Sequence, residues 1–425
     1  MAPLPLEGVR VLDFSWAMAG PQASRLFADM GADVVRLESA ARPDLARTTF
    51  GPHPHGQGAH GFDSSGYFNH FNRNKRSVNL NMQRNEAKPV FRDLLCTADI
   101  VLENFSAGVL ARWGWPFTRM REVRSDIIYI SMAGPGHRGP YASQRTFGPT
   151  VQALSGLTHL SGFPGMQPAG WGFSYMDHTG GYMAAISALM ALYQRSQTGC
   201  GEHVDLSQIE SAITLTGTAI LDYQVNGRGS APQGNRSRHP AAAPHGVYRC
   251  ADEYERDRWI GIACYTDDQW DALVETMGRP AWATSASLAG MPGRVAAQDE
   301  LDRQIDAWTR TQLAQELMHR LQRAGVPAGV VQNHRDLTEH DRQIEHRGMF
   351  PRVVHELLGE YQIDGLPIRM SETPGGVRKR APLWGEHTDD VATRHPRLRR
   401  RSALATARRA GAGMSRLPLE GFARG

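Results

Sequence analysis

The chain has 425 residues, 41% of them apolar and 21% charged, with a formal net charge of +4 from 47 basic and 43 acidic side chains. This composition excludes a disordered or collagen-like chain and suffices for two or three packed domains. The longest apolar window, Tyr182–Tyr193, is shorter than the roughly 20 residues of a spanning helix, and the N-terminal MAPLPLEGVRV lacks a charged-then-apolar leader, so the sequence reads as soluble and cytoplasmic.

Short apolar β runs alternate with helical stretches over the first 130 residues. Val9–Phe14 reads as a strand ending at an Ala-Gly-Pro turn, Gln22–Met30 as a helix, and Val34–Leu37 as a second strand after Gly31. Glu86–Cys96 reads as a helix between these and two further buried strands, Asp99–Leu102 and Ile127–Ser131. The pattern predicts an α/β fold with a doubly wound parallel sheet, which binds ligands at the carboxyl ends of its strands. Two long helices are expected at Gly181–Arg195 and Leu206–Tyr223, then a Gly/Pro/Arg-rich linker or mobile loop at Asn226–Pro244. The strands VYRC and WIGIAC and the helices Thr266–Met277 and Leu301–Ala324 predict a small α+β domain. The expected organisation is therefore a large domain over 1–225, a small one over 226–325, and a return to the large domain over 326–390.

Residues 391–425 carry nine arginines against one glutamate, which leaves the body with 38 basic and 42 acidic side chains. A basic tail on an acidic body reads as a solvated, flexible end and not as a nucleic-acid-binding fold. Its LPLEGFAR repeats the LPLEGVR near the N-terminus, as the opening of a second domain copy would. The four cysteines (Cys96, Cys200, Cys250, Cys264) form no CxxC pair and read as reduced thiols. No metal is expected. His53, His55 and His60 stand among Gly and Pro without a ligand spacing, and read as an uncoordinated loop. No NAD is expected either: GPGHRG (Gly134–Gly139) matches GxGxxG, but Pro140 and a polar run follow in place of a helix, and the next acid is Asp177. Asp205 and Glu210 read as capping a helix start.

In WGFSYMDHTGG, Asp177 precedes Gly180 and Gly181 at the opening of an apolar helix. The residue types fit a helix cap. They also fit a nucleophile that the helix end keeps ionised, with the glycines leaving room for an acyl centre and supplying N–H donors to an oxyanion.

Several segments together, in this order, resemble the class III CoA-transferase family, which includes formyl-CoA and carnitine CoA-transferases. They are LEGVRVLDFSWAMAGPQASRLFADMGADVVRLE (Leu6–Glu38), NRNKRSVNLNM (Asn72–Met82), ADIVLENFSAGVLARWG (Ala98–Gly114), MDHTGG (Met176–Gly181), TGCGEHVDLSQIE (Thr198–Glu210), AGVPAGVV (Ala324–Val331) and RAPLWGEHTDDV (Arg380–Val391). The resemblance implies that Asp177 attacks a donor acyl-CoA to give a mixed anhydride and then an aspartyl-CoA thioester, from which an acceptor carboxylate collects CoA. It implies CoA bound by Met18, Arg36, Asn74, Lys75, Arg76, Asn104, Phe105 and Arg112, with no other cofactor, and an interlocked homodimer. His137, Arg138, Arg145 and Tyr175 are expected on the acceptor side.

The chain departs from formyl-CoA transferases at Met18, where they carry Gln, and in the loop GRGSAPQGNRSRHP, where they carry four glycines. The rival reading is an α-methylacyl-CoA racemase, a relative of the same fold. Its histidine base falls at Phe147, which cannot take a proton. A non-catalytic CoA-binding protein would keep the fold and lose Asp177.

Overall fold

A computed structural model describes residues 3–49, 61–254 and 256–394. The described chain forms two compact units. The first comprises residues up to Thr158, Gly170–Arg228 and the segment from Gln343 onward; the second comprises His159–Ala169 and Gly229–Arg342. The histidine-rich stretch and residues 395–425 lie outside the described residues.

The first unit is built on a six-stranded, all-parallel sheet of β1 (Arg10–Asp13), β2 (Asp33–Glu38), β3 (Arg76–Asn79), β4 (Ile100–Glu103), β5 (Ile128–Ala133) and β6 (His203–Ser207) in the order β3-β2-β1-β4-β5-β6. The order reverses between β1 and β4, and such a switch point opens a crevice beyond the carboxyl ends of those strands. β1, β2, β4 and β5 are apolar runs buried on both faces, as a sheet covered on both sides requires.

Two strands were not anticipated. β3 is short and polar at three of its four positions (RSVN), and β6 alternates with an exposed Asp205, so neither has the continuous apolar signature. The helix expected at Leu206–Tyr223 instead begins at Gln208, behind an N-cap in which Ser207 Oγ accepts from the Glu210 N–H at 3.2 Å. Asp205 is thus a strand residue and caps nothing.

One face of the sheet is covered by the helix Ala19–Asp29 and the long helix Tyr175–Thr198, and these two helices also pack on each other. Pro21 sits in the first turn of the former, where its missing N–H costs no helical bond. The long helix buries Gly180, Gly181, Ala184, Ala185, Ala188 and Ala191, so its backbone approaches closely. A Cβ on Gly181 would stand 2.7 Å from the Ala19 carbonyl oxygen. Phe91, Trp115, Phe117 and Tyr129 belong to the core on the opposite face.

The second unit holds an antiparallel sheet of His245–Arg249, Trp259–Ala263 and Ala328–Val330, whose core includes residues of the helices Asp267–Thr276, Gln298–Thr309 and Ala314–Arg323. The run 326–331, expected to begin the return to the large domain, is an edge strand here, and the chain re-enters the first unit at Gln343. Local apolarity cannot tell which sheet a short strand will join. Within the expected linker 226–244, Ser237–Arg238 and Ala241–Ala242 pair as a short hairpin of the second unit.

Candidate active site

Asp177 is the third residue of the long helix, after Ser174 at the N-cap. Gln208, the first residue of the helix that follows β6, donates from Nε2 to Asp177 Oδ1 at 2.9 Å. The Ser174 side chain and the Gly148 N–H also hydrogen-bond the carboxylate. Gly148 must be glycine, since a Cβ there would lie 2.8 Å from Asp177 Oδ2. Burial raises the Asp177 pKa, and the three hydrogen bonds only partly oppose it. The helix end therefore does not by itself set the charge of this group, contrary to the expectation from sequence. The result is a half-buried carboxylate, more basic than usual, held by three uncharged donors.

Gly180 and Gly181 act differently from the expectation. As the sixth and seventh helical residues they lie past the N–H groups a helix leaves free, so they cannot serve as oxyanion donors. They provide close contact, with a Cβ on Gly180 falling 2.9 Å from Gln208 Cγ. Phe147, at the position of the racemase base, precedes Gly148 and is 58% exposed. Tyr67, not singled out from sequence, donates its hydroxyl to Met18 Sδ at 3.0 Å; burial, with the charges of Asp177 and Asp44, raises its pKa and keeps it a neutral donor near Asp177.

Most cations expected to hold CoA are committed elsewhere. Lys75 is buried, with Nζ 2.7 Å from Ser24 Oγ, 2.9 Å from Asn72 Oδ1 and 3.3 Å from Asp13 Oδ2, and burial pulls its pKa down to about 7 against the attraction of Asp13. Arg36 is buried among Asp44, Glu38 and Asp13 and donates to the Ser15 carbonyl at 2.7 Å. Asn74 joins Asp29, Gly376, Arg378 and Lys379. The NKR motif is therefore largely internal scaffolding.

Arg76 opens β3 at the amino edge of the sheet, paired with Asp33 beside a cavity of about 310 Å³. A parallel strand separates its two ends, so Arg76 cannot meet a ligand at the carboxyl edge. Arg76→Gln is expected to leave the KM for acyl-CoA within about twofold of wild type in steady-state kinetics, whereas a phosphate-binding arginine would not.

The carboxyl edge at the switch point carries a different set. Asn104 spends its amide on Trp16, accepting from its N–H at 2.7 Å and donating to its carbonyl at 3.0 Å. This fixes Trp16 edge-on to Phe105, with ring centres 5.4 Å apart, and Trp113 packs on Phe105 at 5.5 Å. The exposed Arg42 guanidinium stands 5.3 Å from the Trp16 ring, and no carboxylate pairs with it among the described residues. The sequence did not single out Trp16 or Arg42, although Trp16 stands three residues past the end of β1, at the crevice.

Met18 stands at the N-cap position of the helix that follows β1 without a side-chain capping bond, and Arg112 is exposed and donates to the Ala107 carbonyl at 3.1 Å. Of the expected acceptor residues, Arg138 and Arg145 are exposed, Tyr175 packs edge-on to Trp171, and His137 turns toward Glu103. Glu103 bonds Tyr129, so His137 lies with the face opposite the long helix. None of the four is among the groups that hydrogen-bond Asp177.

The family described as CoA-transferase family III matches residues 6–388. A succinyl-CoA–D-citramalate CoA-transferase of Chloroflexus aurantiacus is 32% identical over 92% of this chain and 94% of its own length. A succinyl-CoA:mesaconate CoA-transferase of Haloarcula marismortui is 34% identical over 91% of this chain and 95% of its own. The crystal structure of a CAIB/BAIF family protein from Brucella suis superimposes with a TM-score of 0.83 at 28% identity, covering 92% of this chain and 99% of that one. The chain belongs to CoA-transferase family III and is a CoA-transferase. Among the described residues no helix is long and apolar enough to cross a membrane.

Proposed function

We propose that the protein moves CoA from an acyl-CoA donor to a carboxylic acid through covalent intermediates on Asp177. The observation that carries this reading is the Asp177 carboxylate: half-buried, raised in basicity, held by neutral donors and set at the start of a helix that follows an exposed aromatic run. A carboxylate oxygen attacks the thioester carbonyl, the C–S bond breaks and CoA leaves as the thiolate. The thiolate then attacks the aspartyl carbonyl of the anhydride and releases the donor acid. The acceptor carboxylate repeats the exchange in reverse, so every bond broken is replaced by one of similar energy. Gln208 and the Gly148 N–H are placed to stabilise charge passing through the aspartyl oxygens.

The racemase alternative has a weaker footing. The group beside Gly148 is Phe147, and a two-base exchange at the α-carbon needs a proton acceptor there. A non-catalytic CoA-binding role leaves the hydrogen-bonded carboxylate without a purpose.

CoA is placed at the switch point, its adenine against Phe105 and Trp16 and a phosphate at Arg42. Arg42→Glu is expected to raise the KM for acyl-CoA about tenfold or more with kcat little changed. An unchanged KM would remove Arg42 from the site. The exposed apolar side chains Ile186, Leu189, Met190 and Tyr193 on the long helix, and Leu221, Tyr223 and Val225 on Gly217–Asn226, suit a homodimer interface. The cytoplasm is the compartment we assign.

The relatives named for succinyl-CoA make succinyl-CoA the first donor to assay. Purified protein with a panel of acyl-CoA donors and carboxylic acids, read by mass spectrometry, should form new acyl-CoA species without net hydrolysis. Exchange of α-hydrogens with heavy water, and no transfer, would favour the racemase.

A further inference from the structure

A buried polar cluster across β4, β5 and β6 is used by none of the steps above. Glu103, the last residue of β4, is fully buried. Its Oε1 accepts from the Tyr129 hydroxyl at 2.7 Å and its Oε2 from the Phe105 N–H at 2.6 Å. His137 Nε2 stands 3.5 Å from Glu103 Oε1, is buried, and makes no hydrogen bond. The same imidazole also hydrogen-bonds the Phe105 backbone, whose available group for a ring N–H is the carbonyl. The His137 main chain is anchored by its N–H to Asp205 Oδ1 at 2.8 Å.

The other charged or titratable groups around the cluster are Asp205, Arg138 at 4.0 Å from Asp205, and His203, which stacks on Tyr129 at 4.7 Å and bonds Ser131 Oγ at 2.8 Å. Among the described residues no lysine or arginine forms an ion pair with Glu103.

The His137 ring lies between two acceptors, the Phe105 carbonyl and the Glu103 carboxylate. A neutral imidazole has one N–H and can serve only one of them. A second proton on Glu103 lets the carboxyl group donate to the free ring nitrogen, and without it a carboxylate faces a bare nitrogen at 3.5 Å.

We propose that Glu103 and His137 are positioning residues that share one proton and clamp the Phe105 peptide, Glu103 by its N–H and His137 by its carbonyl, so that loss of that proton at alkaline pH loosens the CoA surface. This rests on the placement of CoA at Phe105. Burial, which pushes the Glu103 pKa up to about 8 and lowers that of His137, agrees with a proton lost above neutrality. The proton leaves to solvent; no bond to substrate is made or broken.

The test is the pH dependence of KM for acyl-CoA in the full-length enzyme, with infrared difference spectra of the same protein free of ligand. In the wild type, KM should rise toward about tenfold per pH unit above the break, the slope of one proton, and the band of a protonated buried carboxylic acid should vanish over the same range. Glu103→Gln places a permanent N–H toward His137, and should flatten the KM profile and remove the band. His137→Gln donates to the Glu103 carboxylate and should move the break to lower pH, which keeps the proposal testable if Glu103→Gln folds poorly. A wild-type protein with no titrating carboxyl band and a neutral His137 by nitrogen NMR would overturn the shared proton. A titrating band with a flat KM, together with an unchanged KM in Phe105→Ala, would overturn the role in CoA binding by removing the placement beneath it.

Discussion

Asp177→Asn is expected to lower kcat for CoA transfer by at least about a thousandfold, the order of loss when a covalent nucleophile is removed. Asn keeps the size of the side chain and an oxygen for the Gln208 donor at 2.9 Å, but its NH2 cannot accept from the remaining donors, Ser174 and the Gly148 N–H, so the urea midpoint should fall only modestly, by about the worth of one hydrogen bond. The affinity for CoA should be unchanged, because the surface assigned to CoA, at Trp16, Phe105 and Arg42, excludes Asp177. Hydroxylamine added to wild-type enzyme with acyl-CoA should convert Asp177 to a hydroxamate detectable by peptide mass spectrometry, and the variant should give none. Transfer at a near wild-type rate in Asp177→Asn would end the covalent assignment.

Arg36→Met is expected to destabilise the first unit by about 3–5 kcal/mol, the usual cost of stripping the cation from buried carboxylates. The Arg36 guanidinium lies 3.4 Å from Glu38 and 3.8 Å from Asp13 and is also paired with Asp44. Those acids shape the β1 turn: Asp44 Oδ1 accepts from Ala17 N–H at 2.8 Å, and Ala17 is held there at a left-handed φ of 57°. Glu38 also shows how this network depends on pH. Burial opposes its ionisation, but Arg47 and Arg36 together lower its pKa from 4.5 to about 2. A carboxylate with a depressed folded pKa contributes stability above its unfolded pKa and loses it as pH falls through the folded value. The wild type should therefore lose this contribution between about pH 4.5 and 2, and in Arg36→Met, where one lowering charge is gone, the contribution should be smaller and fully lost at a higher pH. Chemical denaturation at neutral and acid pH reads both effects, and an unchanged midpoint at neutral pH would show the network to be dispensable.

Alternating apolar runs and glycine turns made the parallel sheet legible in advance, because β1, β2, β4 and β5 are buried on both faces and their residues must be apolar whatever surrounds them. Asp177 stood out as a local pattern, an acid ahead of two glycines and an apolar helix, but that pattern fits a cap as well as a nucleophile and only the family resemblance implied the latter. The family was legible as a resemblance, because its motifs stand in order along the chain, and the family match over residues 6–388 agrees with it. What stayed hidden depended on partners far apart in sequence. The polar strands β3 and β6 exist because neighbours supply their hydrogen bonds. Gln208 meets Asp177 across 31 positions, joined by the helix that starts where β6 ends. The sharpest reversals concern charge: Lys75 and Arg36 were expected to bind CoA, yet each is turned into the protein by a carboxylate on another strand or loop, which screens its charge from a ligand. A sequence lists which charges exist. Their pairing follows from how the sheet brings strands together, and that pairing left Trp16, Phe105 and an Arg42 without a carboxylate partner among the described residues at the crevice.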